Sequence, residues 1–381
     1  MKRRVFKVLF VAVFTTMVGM GIIVPLMGIY AEELGAKGVY LGLIFAAFAL
    51  SRAVFTPLIG KLSDYRGRKV FILTGLSFYT LFSLAYALCN SVALLISVRF
   101  LHGMASAMIL PVATTYIGEI APPDKEGEYM GTFITSLFLG MAAGPLIGGT
   151  LTDLFGMNSA FYLMGGLSGL TTLFILKFLP EITPSTKRKR PEGLGQILQN
   201  NVVKALMLFR GINAVGLSAV MAFLPLFAGS IKVKPSQIGL IISLNVLLTA
   251  ILQRSFGKMA DRFNKINLII LGSLVVGTAL FIIPMTTNFR ELLLASIIMG
   301  LGSAMAIPAS LALATRVGKE KGIGSVMGLF NTAMSLGNVF SPLLSGLVMD
   351  LLNLPCVFFT SSGLVFLSTV IFFFLTREGR G

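Results

Sequence analysis

Three arginines and the single histidine of the chain stand where the surrounding sequence is almost wholly apolar: Arg52, Arg99, His102 and Arg210. A guanidinium at the centre of a membrane helix costs about 2.5 to 3.5 kcal/mol on the insertion scale, so such a residue is expected to face a cavity or a partner. Arg99 and His102 are three apart and share one helix face. The imidazole, whose ordinary pKa is about 6.5, suits a group that takes up a proton near neutral pH, and the pair reads as a proton-sensing unit. The plainer alternatives are a hydrogen-bonded packing histidine and arginines that snorkel or bond to carbonyls. The carboxylates do not join them: Glu32, Glu33, Glu119, Asp153, Glu291 and Asp350 all fall near helix ends, so a cavity lined by Arg52, Arg99 and Arg210 would draw an anionic or zwitterionic solute.

The elements that must hold these residues follow from composition. The 381 residues are 55% hydrophobic and 12% charged, with a mean hydropathy of +0.89, a balance that a soluble chain of this size could not keep off its surface. The apolar runs are each about 20 residues or longer, the length of a membrane-spanning helix and not of a barrel strand. Twelve spans are expected, at roughly 5–30, 39–60, 69–88, 92–117, 130–151, 159–179, 202–228, 236–257, 267–286, 290–315, 325–350 and 355–376. The net charge of +16 is a topology signal and not a nucleic-acid footprint. Lys61, Arg66, Arg68, Lys69, the Lys187 to Arg190 run, Lys258, Arg262, Lys265, Arg316 and Lys319 gather on one side, against Lys37, Lys232, Lys234 and Arg290 on the other. By the positive-inside rule both termini are expected in the cytoplasm, of a bacterial or archaeal inner membrane. The first apolar stretch is too long for a cleaved signal, and Cys89 and Cys356 form neither a metal cluster nor a disulfide framework, so both are expected to be free thiols.

The sequence repeats itself at an offset of 197 residues. Gly60, Lys61 and Asp64 return as Gly257, Lys258 and Asp261, and Gly103, Ser106, Ala107, Met108 and Pro111 return as Gly300, Ser303, Ala304, Met305 and Pro308. Gly140, Pro145, Gly149 and Asp153 return as Gly337, Pro342, Gly346 and Asp350, whereas Pro225, near the outer end of helix 7, does not fit the offset from Pro25 in helix 1. Halves with an even number of helices enter from the same side, so the expected fold is all-α, with twelve transmembrane helices in two parallel six-helix repeats. The halves are 1–179 and 202–381, joined by a polar cytoplasmic linker over 180–201. Arg52, Arg99 and His102 align with Thr249, Ser296 and Met299, so the first copy holds polar residues that the shared scaffold does not require.

Two motifs carry a family resemblance. The loop after helix 2 reads Gly60-Lys-Leu-Ser-Asp64-Tyr-Arg66-Gly67-Arg68-Lys69, echoed by Gly257, Asp261 and Lys265 in the second copy; helix 5 reads Gly140-Met-Ala-Ala-Gly144-Pro145-Leu-Ile-Gly148-Gly149. The first matches G-x-L-x-D-x-x-G-R-K and the second G-x-x-x-G-P-x-x-G-G, and with them the chain resembles the major facilitator superfamily, especially its twelve-helix drug/proton antiporters. That resemblance implies a cytoplasmic gate at Gly60, Asp64, Gly67, Arg68, Lys69, Gly257 and Asp261, antiport through the helix 5 motif of Gly140, Gly144, Pro145, Gly148 and Gly149, and proton coupling through Arg99, the arginine of an R-x-x-x-G pattern completed by Gly103. In the gate, Gly60 is expected to let two helices approach closely and Asp64 to pair with Arg68 or a facing cation.

The function these features imply is secondary active transport by alternating access, as proton-coupled efflux of small amphipathic molecules; the alternative is an uncoupled or anion-selective carrier. Proton coupling or substrate binding is assigned to Arg52, Arg99, His102 and Arg210, and the substrate cavity to Met20, Val24, Asn213, Met221 and Met305. The expected partners are a small-molecule substrate, protons and the lipid bilayer, with no nucleic acid, no cofactor, no metal and no enzyme activity, in a chain working as a monomer.

Overall fold

The computed structural model describes residues 2–122, 125–181 and 197–378. The Lys187 to Arg190 run, and with it most of the proposed linker, lies outside them. The described residues are helical, with no strand: α1 Lys2–Glu33, α2 Gly38–Arg66, α3 Arg68–Tyr86, α4 Val92–Ile120, α5 Glu126–Phe155, α6 Met157–Phe178, α7 Asn201–Ser230, α8 Pro235–Arg262, α9 Lys265–Ile282, α10 Phe289–Lys321, α11 Ile323–Leu351 and α12 Leu354–Glu378. Twelve of these helices are long and apolar enough to cross a membrane. α2, α8 and α10 run past their apolar cores, because Arg66, Arg262 and Lys321 extend the last turns and favour the negative end of the helix dipole.

Helix boundaries carry the duplication further than the motifs do. α1 ends at Glu33 and α7 at Ser230, 197 residues on, and the next residues with positive φ are Gly35 at 86° and Lys232 at 61°, again in register. The offset therefore does extend through the first helix of each copy, and Pro225 corresponds to Gly28, not to Pro25. A turn that leaves the helix in the left-handed region is met by glycine in one copy and by a strained lysine in the other.

The chain divides into two compact units, one of Met1–Ala36, Leu43–Lys187 and Lys234–Ser243, the other of Lys37–Gly42, Arg188–Val233 and Leu244–Gly381. In the first, α5 and α6 pack on α1, where Val18, Ile22 and Leu26 meet Ala160. Its rim includes the first turns of α8: the Ser236 amide donates to Asp153 Oδ2 at 3.1 Å, and a Cβ on Gly239 would strike the carbonyl of Pro145. In the second unit, Leu206, Phe209, Ala306, Phe330 and Phe372 form the apolar centre. Its rim includes the first turns of α2: the Val39 amide donates to Asp350 Oδ2 at 2.8 Å, and a Cβ on Gly42 would strike the carbonyl of Pro342. The two rims are copies at the same offset, each a carboxylate capping free amides at a helix N-terminus.

Candidate functional site

The polar residues of the first copy come together where α2 crosses α4. Gly103 makes the crossing possible, since a Cβ there would collide with the carbonyl of Phe48. One turn earlier on α4, Arg99 is 2% exposed; its Nε donates to the Ile44 carbonyl at 3.3 Å and its guanidinium lies 4.6 Å over the Phe48 ring and 5.6 Å over Phe45. Arg99 is thus strapped between a carbonyl and two aromatic faces, which supply the compensation that a membrane-depth cation needs. His102 is 1% exposed, its Nδ1 is 2.8 Å from the Tyr86 hydroxyl, and its buried Nε2 has no hydrogen-bond partner among the described residues. Its ring stands edge-on against Tyr79, with centroids 4.1 Å apart, and against Phe48 at 5.7 Å.

Arg52, one turn beyond Phe48 on α2, is half-buried, and its guanidinium has no hydrogen-bond or ion-pair partner among the described residues. Tyr79 lies within electrostatic reach of both Arg52 and Arg99. The sequence signals for Tyr79 and Tyr86 were their counterparts Val276 and Ile283: both tyrosines belong to the same unequal pairs that mark His102 against Met299.

Arg210 belongs to the second unit and is not part of this cluster. Its Nη2 donates to Met334 Sδ at 2.8 Å, its guanidinium lies 5.0 Å over Phe330, and its buried Nε has no hydrogen-bond partner among the described residues. Met20 and Val24 in the first unit, and Asn213 and Met221 in the second, are half-buried. Met305 is instead packed in the apolar centre of the second unit beside Ala306, at 9% exposure, where it fills core volume and leaves little surface for a solute.

At the basic end of the first unit, Arg68 organises the loop. Its Nη2 lies 2.7 Å from both Asp64 Oδ1 and Glu119 Oε1, Nε donates to Glu119 Oε2 at 3.4 Å, and Nη1 donates to Ser63 Oγ at 2.6 Å. Glu119 arrives from the end of α4, 51 residues away, beyond the reach of a loop motif. Gly67, at φ 91°, starts α3 in a conformation suited to glycine, the Lys69 amide donates to Glu181 Oε1 at 3.2 Å, and Lys69 Nζ donates to the Leu176 carbonyl at 3.0 Å. Among the described residues Gly60 does not serve close approach: a Cβ there would meet none of their atoms within 4 Å. Gly257 is similarly roomy, with Pro308 4.0 Å away, and the Asp261 side chain lies outside the described residues.

The helix 5 motif serves two neighbours. Cβ atoms on Gly140, Gly144 and Gly148 would meet the α1 backbone at Phe14, Val18 and Ile22, at 2.6, 2.5 and 2.9 Å. Gly149 and the Pro145 carbonyl face the first turns of α8, where Leu146 N donates to Ser243 Oγ at 3.1 Å. Small residues here allow backbone contact on both sides of one helix.

This architecture has known counterparts. The model of the Major Facilitator Superfamily matches residues 9–214 and again 206–381. An uncharacterized MFS-type transporter of Methanocaldococcus jannaschii is 34% identical over 354 residues, 91% of this chain and 92% of that protein. Multidrug resistance protein 2 of Bacillus subtilis is 27% identical over 94% of this chain and 92% of its own length. Among solved structures, a bacterial homolog to the human lysosomal transporter Spinster, inward-facing and occupied, superposes with a TM-score of 0.83 over 98% of this chain and 96% of that one; at 14% identity the likeness concerns the fold.

Proposed function

The chain belongs to the Major Facilitator Superfamily, and from that premise we propose that it is a secondary active transporter that exports small amphipathic molecules by alternating access, in exchange for protons. Its family and fold are those of multi-pass membrane transporters, and its relatives include a multidrug resistance protein. The observation that carries the proton exchange is His102: a fully buried imidazole at membrane depth, hydrogen-bonded to Tyr86 through Nδ1 and with no partner at Nε2 among the described residues, so that its one unprotonated ring nitrogen can take up a proton. Arg99 beside it supplies a fixed charge against which protonation is felt, so a solute or water that reaches the cluster alters the cost of that proton. The concentration of Lys and Arg at one set of helix ends supports placing those ends, and both termini, in the cytoplasm.

Purified protein in proteoliposomes, given an imposed pH gradient, is expected to drive an amphipathic dye across the membrane. His102→Gln is expected to abolish gradient-driven flux while leaving dye exchange at equal pH intact. Flux that ignores the gradient in the unmodified protein removes the coupling. A second reading, an uncoupled carrier, is favoured by one observation: the described carboxylates Glu32, Glu33, Glu119, Asp153, Glu291 and Asp350 all stand in the end turns of their helices. It predicts flux that follows the dye's own gradient alone.

A further inference from the structure

Of the three arginines at membrane depth, Arg52 is the one whose guanidinium has no hydrogen-bond, ion-pair or ring partner among the described residues, with only Tyr79 in electrostatic reach. Arg99 has a carbonyl and two rings, and Arg210 has a sulfur and a ring. Arg52 lies on the side of α2 away from its exposed apolar face. On α2 the exposed apolar face is Leu50, Val54 and Leu58, at 46, 50 and 53% exposure, and residue 52 is about 200° around the helix from both 50 and 54. Beside it Ser51 is fully buried, and its Oγ too has no hydrogen-bond partner among the described residues.

The second copy of the scaffold acts as an internal control. At the position of Arg52 it has Thr249, whose hydroxyl donates to the Asn245 carbonyl at 2.8 Å and to the Gly300 carbonyl at 3.3 Å, closing the matching α8–α10 crossing. At the position of Ser51 it has Leu248. The crossing is therefore buildable without a charge or a buried free hydroxyl, and packing gives no reason for either in the first copy. An uncompensated guanidinium in a low-dielectric setting is costly until an anion arrives, and its planar donor fork matches the two oxygens of a carboxylate or sulfonate.

We propose that Arg52 is the seat for an anionic group on the solute, so that the transported molecules are small amphiphiles bearing a carboxylate or sulfonate. This rests on the transporter function proposed above. The solute is the missing counter-ion: an acid gains the interaction, a neutral analogue leaves the cation bare, and an amine adds a like charge.

Three probes of one shape test it: 2-naphthoate, 2-naphthamide and 2-naphthylmethylammonium. Each is scored by thermal stabilisation of the purified full chain and by flux in proteoliposomes, for the unmodified protein, Arg52→Lys and Arg52→Thr, the last being the residue the second copy uses. Naphthoate is expected to bind at least about 10-fold more tightly than the amide, a preference that Arg52→Thr erases and Arg52→Lys keeps in part, with amide binding unchanged in all three. Equal preference for naphthoate in Arg52→Thr and the unmodified protein, or no preference in the unmodified protein, overturns the proposal. Selective stabilisation by naphthoate without flux of any probe leaves the anion seat standing and overturns the transporter function instead. If Arg52→Thr does not fold, Arg52→Lys decides, because a retained ammonium that fully preserves the naphthoate preference shows a diffuse field and no fitted seat.

Discussion

Gly144 and Gly60 are both mid-helix glycines of family-like motifs, and the structure assigns them opposite tolerances. A Cβ at Gly144 would lie 2.5 Å from the Val18 carbonyl oxygen and 2.6 Å from Gly21 Cα, all backbone atoms that cannot rotate aside. Carbon and carbonyl oxygen rest no closer than about 3.3 Å, so α1 and α5 must part by roughly 1 Å locally. Overpacking of that kind costs about 1–3 kcal/mol. At Gly60 a methyl meets no atom of the described residues within 4 Å, so Gly60→Ala is expected to be free of that penalty. Both substitutions gain the same helix propensity, about 1 kcal/mol, so it cancels in the comparison. Gly144→Ala is therefore expected to be less stable than Gly60→Ala by about 1–3 kcal/mol, read from reversible unfolding in mixed detergent and SDS micelles. Equal stabilities, or the reverse order, would refute the assignment of helix 5 as a backbone-contact helix. The second copy is informative here: Ser341 occupies the equivalent place and its hydroxyl donates to the Val215 carbonyl at 2.8 Å, so that crossing is wide enough for a side chain.

Two further outcomes follow from the geometry. A double-mutant cycle on Arg68 and Glu119 is expected to give a coupling of about 1–3 kcal/mol, because Arg68 is 3% exposed and meets the carboxylate through two nitrogens; a coupling near zero would reduce the cluster to surface decoration. Cys89, in the loop after α3, has its thiol pushed up to about 11 by burial. The reactive thiolate is then scarce below that pH: at pH 7.5 roughly one in 3,000 is ionised, against about one in ten for an ordinary thiol. Maleimide labelling in a Cys356→Ser background is expected to rise about tenfold per pH unit from 7 to 10, and a plateau near pH 9 would contradict the burial.

The helices were legible because lipid leaves so little choice: an apolar run of this length must satisfy its own backbone. Their ends were less so, since the turns that carry Arg66 or Lys321 are polar and helical at once, and hydropathy sees only the polarity. In the polar cluster, Arg99 and His102 declare themselves by chemistry and spacing, while Tyr79 and Tyr86, uncharged aromatics in apolar helices, show only through their unequal counterparts Val276 and Ile283 in the second copy. Asp64 and Arg68 form an i,i+4 pair that spacing alone exposes, but Glu119 joins them only through the packing of α3 on α4. The glycines show the limit most plainly. Gly60 and Gly144 look alike in sequence, and only the neighbouring backbone tells which one is needed for contact.

The exchanged rims also set an order of events in synthesis. The clasp of Ser236 on Asp153 joins residues 83 apart and can close once the chain has grown past the start of α8, whereas the clasp of Val39 on Asp350 spans 311 residues. The first turns of α2 must therefore wait, their amides uncapped by Asp350, through the making of nearly the whole protein, and a chain that stops before Asp350 never receives that cap. Long-range closure of this kind is slow and exposes its unpaired groups meanwhile. The cap on the first turns of α2 is thus among the last contacts open to the growing chain, set by the position of one aspartate near the end of α11.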